Sequence, residues 1–142
     1  MTMNQSSLIK LLTYLGATPF FLAIGLGWSN QSFLGVDARQ WFVSYGLVIL
    51  SFMAGTLWGQ VINESLKVKR IALATNAITL AAWFAFLLAA TPIVLIISAL
   101  GFIALYVLES SVMSAVQRPA YYLGLRLRVT ALVVLAHAIM IF

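Results

Sequence analysis

The chain predicts an all-α integral membrane bundle of five transmembrane helices, with its N-terminus cytoplasmic and its C-terminus outside. Three observations carry that expectation. Apolar residues make up 63% of the 142 residues and charged residues only 8%, against roughly 25% charged in an ordinary soluble domain. A soluble fold of this size has too little interior to hide so much apolar surface, so most side chains must meet lipid. Five separate stretches each approach the ~20 mostly apolar residues that a spanning helix needs, and the basic residues gather on one side of them. The whole of 1–142 reads as a single transmembrane domain.

The first span is expected at 8–28. It is longer than the apolar core of a secretory signal, no small-x-small cleavage site follows it, and the first 38 residues hold no Arg. A signal peptide and a mitochondrial presequence are therefore both disfavoured, and Met1 is taken as the mature start. Pro19 removes a backbone hydrogen bond near the middle of this span and should kink it. Thr18 is available to satisfy the freed carbonyl. A static kink is the preferred reading, a hinge the alternative.

Residues 29–40 form the longest polar connection on the outer side, and Asn30-Gln31-Ser32 matches a glycosylation acceptor triplet that is common by chance. The second span, 41–63, carries no charge and aligns Ser51, Gly55 and Gly59 at four-residue spacing. Positions i and i+4 share a helix face, and small-xxx-small seams let helix backbones approach closely in lipid. The third span, 71–90, carries Ala77, Ala81, Ala85 and Ala89 at the same spacing, a natural partner for that seam. Thr91-Pro92 is expected as a tight turn into the fourth span, 93–109, making the third and fourth helices antiparallel neighbours. The fifth span is expected at 121–142. Five helices do not divide into equal halves, which argues against an inverted-repeat transporter.

Orientation follows from the basic residues. Lys10, Lys67, Lys69, Arg70, Arg118, Arg126 and Arg128 fall on the side of the N-terminal tail, and Arg39 alone falls on the other. The positive-inside rule places the seven in the cytoplasm. Their dispersal at span ends, without one run of interleaved aromatics, excludes a nucleic-acid surface. With no cysteine in the chain, disulfides, thiolate metal sites and cysteine nucleophiles are excluded too.

Candidate chemistry is sparse. Arg126, Thr130, Val133 and His137 form one stripe on the fifth helix, whereas Arg128 points about 200° away from Arg126. Arg126 reads either as an anchor for an anionic group or as an ion-pair partner of Glu109 or Glu64. The pair is favoured, because an intramembrane charge needs a partner. Glu64 and Glu109 share the cytoplasmic leaflet and could form an acid/base pair or proton relay, but span ends more often hold such residues for salt bridges. Gln60, Asn63 and Asn76 add amides at the same depth. Inter-helix hydrogen bonding is the favoured reading of that cluster. The sharper one is a small cavity floored by Trp58 and Gly59 and rimmed by Arg126 and Glu109. His137, the lone histidine, reads as a hydrogen-bonded interfacial residue. Trp28, Trp41, Trp83, Tyr121 and Tyr122 read as belt aromatics. No metal site, catalytic residue or cofactor motif is identified.

Leu15-Gly16-x-x-Pro19-Phe20 resembles the LGxxPF opening of the transmembrane protein 69-like family, a domain of unknown function. The stretch Tyr45-Gly46-x-x-Ile49-Leu50-Ser51-Phe52-x-x-Gly55-x-x-Trp58-Gly59 resembles that family's YGxxILSFxGGxxWG, with Ala54 replacing the first central glycine. Asn76 with Trp83-Phe84-Ala85-Phe86-Leu87 is similar to its third segment, and Leu125-Arg126-x-x-x-Thr130 to its closing LRxxxT. The resemblance implies a five-helix membrane protein, bacterial here and mitochondrial in animals, and carries no established activity.

Three functions stay open on these residues. The preferred one is a non-enzymatic accessory or scaffold protein of the bacterial inner membrane, packing through its small-residue seams. The alternative is a small homo-oligomeric carrier or channel for an anionic or amphipathic small molecule. The weakest is an enzyme acting on a lipid or quinone. The expected partners are membrane lipids, with other membrane proteins or a second copy of the chain as further candidates.

Overall fold

A computed structural model describes residues 4–63, 68–112 and 118–142. It is all-helical: α1 (Gln5–Trp28), α2 (Ala38–Gln60), α3 (Val68–Leu88), α4 (Thr91–Ser111) and α5 (Tyr122–Ile141). Each helix is long and apolar enough to cross a membrane, which makes the chain a multi-pass membrane protein. Large apolar side chains face outward on every helix, among them Leu22, Phe52, Leu73, Leu88, Leu100 and Leu135. In lipid such exposure carries no hydrophobic penalty.

Local chemistry sets the helix ends. Asp37 starts α2 three residues before the expected position, because its carboxylate accepts from Arg39 N and Gln40 N at 2.8 and 3.0 Å. At the C-terminus of α1, Gln31 N donates to Leu26 O and Asn30 N to Gly27 O, with Asn30 at φ 50°. These are the two bonds of a Schellman cap, with asparagine in the left-handed position that glycine usually fills. Leu34 and Gly35 both have positive φ and close a two-residue turn that pairs Phe33 with Val36 in a lone bridge. Trp41 Nε1 donates to Phe33 O at 2.9 Å and ties this turn to α2.

The link between α3 and α4 differs from expectation. The turn lies at Ala89-Ala90, and Pro92 sits inside the first turn of α4, where its missing N–H costs nothing.

Helices α1, α2, α4 and α5 close a ring, each packing on the next, while α3 lies outside in the groove between α2 and α4. Each ring helix sends one large side chain to the centre. Phe20, Phe42, Phe102 and His137 are all essentially inaccessible, and the three phenyl rings stand 5.4, 4.8 and 5.5 Å from the imidazole. Two glycines permit this density. A Cβ on Gly101 would come within 3.1–3.2 Å of Leu50 and Ile78, and one on Gly46 within 3.5 Å of His137 and Phe20.

The expected small-residue pairing is corrected within the chain. Gly55 and Gly59 are exposed, and among the described residues a Cβ on either would meet nothing within 4 Å. Ala77 and Ala81 are exposed as well, and Ser51 is half-buried with its hydroxyl on Leu47 O. Only Ala85 of the six is buried. Ser51 and Gly55 each fall one residue past a buried position of α2, about 100° around the helix, so the seam faces away from the contact. The buried face of α2 instead runs Phe42, Gly46, Leu50, Ala54, Leu57, and that of α3 runs Ile71, Thr75, Ala82, Ala85.

Pro19 also differs in its partner. Thr18 Oγ1 reaches back weakly to Tyr14 O at 3.4 Å and not to the Leu15 carbonyl four residues before the proline, while Tyr45 OH donates to Gly16 O at 2.8 Å. Helix α1 is thus tied to α2 one turn before its proline.

Candidate functional site

Charge collects at one end of the ring, where α2 and α4 finish and α5 begins. Glu109 lies in the last turn of α4 and is 3% exposed. One carboxylate oxygen accepts from Arg126 Nε at 2.7 Å, and the other from Tyr122 OH at 2.9 Å. Arg118 Nη1 stands 3.5 Å from the same carboxylate and 3.5 Å from the Glu109 carbonyl. Arg118 Nη2 donates to Gln60 Oε1, and its guanidinium lies 5.2 Å from the Tyr122 ring. Nearby, Lys10 Nζ sits 4.7 Å from the Tyr121 ring.

This arrangement makes α5 a rigid partner of α4. A carboxylate this deep would be costly alone. Two guanidinium groups and a phenol supply the donors that its oxygens need. All three charged side chains are nearly inaccessible, at 4%, 7% and 11% exposure for Glu109, Arg118 and Arg126.

Directly above the pair, between α1, α2 and α5, lies a cavity of about 250 Å³. Glu109, Tyr122 and Arg126 form its polar end, and Ile49, Val129 and Val133 contribute to its apolar walls. Leu12 on α1 and Phe52 on α2 line it and are themselves exposed. They mark a mouth between these two helices, on the bundle's lateral surface. Phe102 closes the far end, beneath the aromatic centre. Thr130 is 6% exposed, lines the cavity, and its hydroxyl has no hydrogen-bond partner among the described residues. A second groove, at the other end of α1, is lined by Pro19, Leu22, Phe33 and Trp41 among others and bears no charged side chain.

Of the residues expected here, the structure brings Gln60, Glu109, Arg126 and Thr130 together. Three do not join. Asn76 is exposed and donates to its own helix at Ala72 O, 2.7 Å away. Asn63 is exposed past the end of α2, and Trp58 is 44% exposed on its outer face. Trp58 follows Met53 by five residues, which turns it about 140° from the cavity. Met53 and Thr56, not Trp58 and Gly59, form the α2 wall beside Arg126, with Met53 Sδ 3.6 Å from Arg126 Nη1. Glu64, the other expected ion-pair partner, lies outside the described residues.

His137 corrects a second expectation. It is fully buried at the bundle centre, not interfacial. Its Nδ1 stands 2.7 Å from Val133 O. A carbonyl can only accept, so Nδ1 carries the proton, and Nε2 has no hydrogen-bond partner among the described residues.

Arg118 and Tyr122 are the site residues that sequence reasoning passes over, one as a topology determinant and the other as a belt aromatic. The available signal was the order of charges: Glu109 is followed by Arg118, Arg126 and Arg128 with no further acid.

A family model described as a protein of unknown function, DUF3429, matches residues 5–142. The chain belongs to that family. No curated protein and no solved structure matches it. Membership covers all five helices and thus both walls and the polar end of the cavity, while leaving the activity to be argued from the site. Among the described residues, no three His, Asp or Glu side chains gather as a metal site would require.

Proposed function

We propose that this protein binds an amphipathic small molecule drawn sideways from the bilayer, with its polar head at Arg126 and its apolar part toward the mouth between α1 and α2. The observation that carries this reading is the cavity itself. It is an apolar chamber with one charged end, and the side chains at its mouth are exposed where lipid would lie. Such a shape matches a molecule polar at one end, and ligand sites of this kind are mostly apolar with a few placed polar groups. The packed Phe20, Phe42, Phe102 and His137 above it favour a closed binding pocket over an open channel. A carrier would add movement of the ligand to the same site. The reading places the protein in the bacterial inner membrane with the charged end cytoplasmic, as its basic residues favour. It also keeps the chain with the transmembrane protein 69-like proteins that its LGxxPF and YGxxILSF stretches resemble.

A test uses two diazirine-bearing single-chain probes, a fatty acid and its fatty alcohol, on the protein in phosphatidylcholine nanodiscs. At least one should label residues around Leu12, Phe52 and Val129. Gly16→Leu should abolish the labelling, because Gly16 lines the cavity and a Cβ there meets nothing within 4 Å. Labelling that is absent, or scattered over all five helices, would remove the reading.

A second reading, an accessory subunit that packs through Ser51, Gly55 and Gly59 against another membrane protein, is favoured by one observation. The chain's own helices leave Gly55 and Gly59 uncovered.

A further inference from the structure

We propose that the molecule held in this cavity carries an anionic head, a carboxylate or a phosphate ester on a single chain, with a further oxygen that reaches Thr130. This rests on the binding reading above and adds the chemical class of the ligand. Two independent features of the site carry it.

The first is charge. Glu109 contributes one negative charge, and Arg118 and Arg126 contribute two positive ones, all nearly inaccessible. Among the described residues the cluster therefore keeps a net positive charge. The remaining acids are Asp37, which caps α2 at the opposite end of the bundle, and Glu64, outside the described residues. A guanidinium at membrane depth is costly unless its donors meet good acceptors. Of the two arginines only Arg126 lines the cavity, and beyond Glu109 its contact there is the weak acceptor Met53 Sδ. An anion seated on the open side of this guanidinium would give it a charged acceptor where it now has a thioether. A neutral head would offer only the weaker kind of hydrogen bond.

The second is the hydroxyl of Thr130. Helical threonines commonly return their hydroxyl to a carbonyl one turn back, and in this chain Thr13, Thr18, Thr56, Thr75 and Thr79 do so. Thr130 does not. It is buried, lines the cavity and lies on the Arg126 face of α5, about 6 Å further along the axis. A buried hydroxyl without a partner is costly, and a ligand oxygen one helical turn from the acidic head would supply it. Size agrees with this order of groups. The chamber holds roughly eight groups of water size at ~30 Å³ each, enough for a head and the start of one chain, with the rest leaving between Leu12 and Phe52.

The test is competition against the labelling probe in phosphatidylcholine nanodiscs, using oleate, 1-oleoylglycerol 3-phosphate, oleyl alcohol and 1-oleoylglycerol. The two acids should compete at concentrations at least tenfold below those of their neutral counterparts. Thr130→Val, which keeps shape and removes the hydroxyl, should weaken the phosphate ester roughly fivefold. Arg126→Gln should erase the preference for acids while Arg118 and Tyr122 still hold Glu109, a point checked by retained thermal stability. A phosphate ester stronger than oleate supports the inference, because of the two acids it alone carries a further oxygen for Thr130; an oleate stronger than the phosphate ester overturns it. Equal competition by acids and neutral molecules would overturn it and leave the binding reading standing. No competition by any of them, with no labelling, would remove both. If Arg126→Gln lowers stability sharply, Thr130→Val alone decides, and an unchanged phosphate-ester affinity in that variant overturns the proposal.

Discussion

Glu109 is the residue on which the polar end depends, because it is the shared acceptor of three donors. Replacing it with Gln removes the charge and leaves Arg118 and Arg126 side by side without compensation. Breaking a buried ion pair from one side costs about 3–5 kcal/mol, so Glu109→Gln should lose on the order of 3 kcal/mol in reversible unfolding in mixed detergent micelles. Arg126→Gln should cost less, since Glu109 keeps Arg118 and Tyr122. The reverse order would mean that Arg118 does not share the carboxylate. A catalytic Glu109 would behave differently, with activity lost and stability kept. The sequence narrowed the partner of Arg126 to Glu109 or Glu64, because a chain with three acids has few ways to neutralise an intramembrane arginine, and did not choose between them. The roles of Arg118 and Tyr122 were not legible in it. A ten-residue connection does not say which of its side chains folds back under the bundle. Nor did the position of His137, five residues from the chain's end, reveal its depth, since distance along the chain is not distance from the centre.

At the scale of the helices, hydropathy located all five segments, and their ends moved by a few residues where a capping Asp37 or a first-turn Pro92 took control. Which face of each helix turns inward was much less legible. In lipid the apolar residues do not divide into inside and outside, so periodicity is faint, and small residues become the main visible signal. That signal pointed to Gly55 and Gly59, while the close approaches occur at Gly46 and Gly101. The difference is measurable. Gly101→Val should lower stability by about 1–3 kcal/mol through overpacking against Leu50 and Ile78. Gly59→Val should leave it within about 0.5 kcal/mol. The same contrast separates the two functional readings. Gly55→Leu combined with Gly59→Leu should keep the monomer's stability. If the exposed seam is an interface, this double variant should also lose any partner that co-purifies in gentle detergent. A monomer both before and after substitution would dispose of the accessory-subunit reading.

For the molecule as a whole, orientation decides which leaflet supplies the ligand. The charged cluster, Lys10, Lys69 and Arg70 lie at one end of the bundle, and Arg39 at the other. Anionic lipids of the inner leaflet attract such an end by about 1 kcal/mol per basic residue, and retention of Lys and Arg on the cytoplasmic side during insertion acts the same way. Both effects favour the orientation we propose, with the polar end of the cavity inside and the mouth between Leu12 and Phe52 toward the inner leaflet. The chain offers a clean test because it has no cysteine, and every introduced thiol is the sole target. Ser32→Cys, in the exposed turn after α1, and Phe142→Cys, exposed at the end of α5, should react with a membrane-impermeant maleimide on intact cells. Ser7→Cys, near the start of α1, should react only after permeabilisation. The opposite pattern would turn the bundle over. The cavity would then face the outer leaflet, and the search for its anionic ligand would move to lipids exposed on that side.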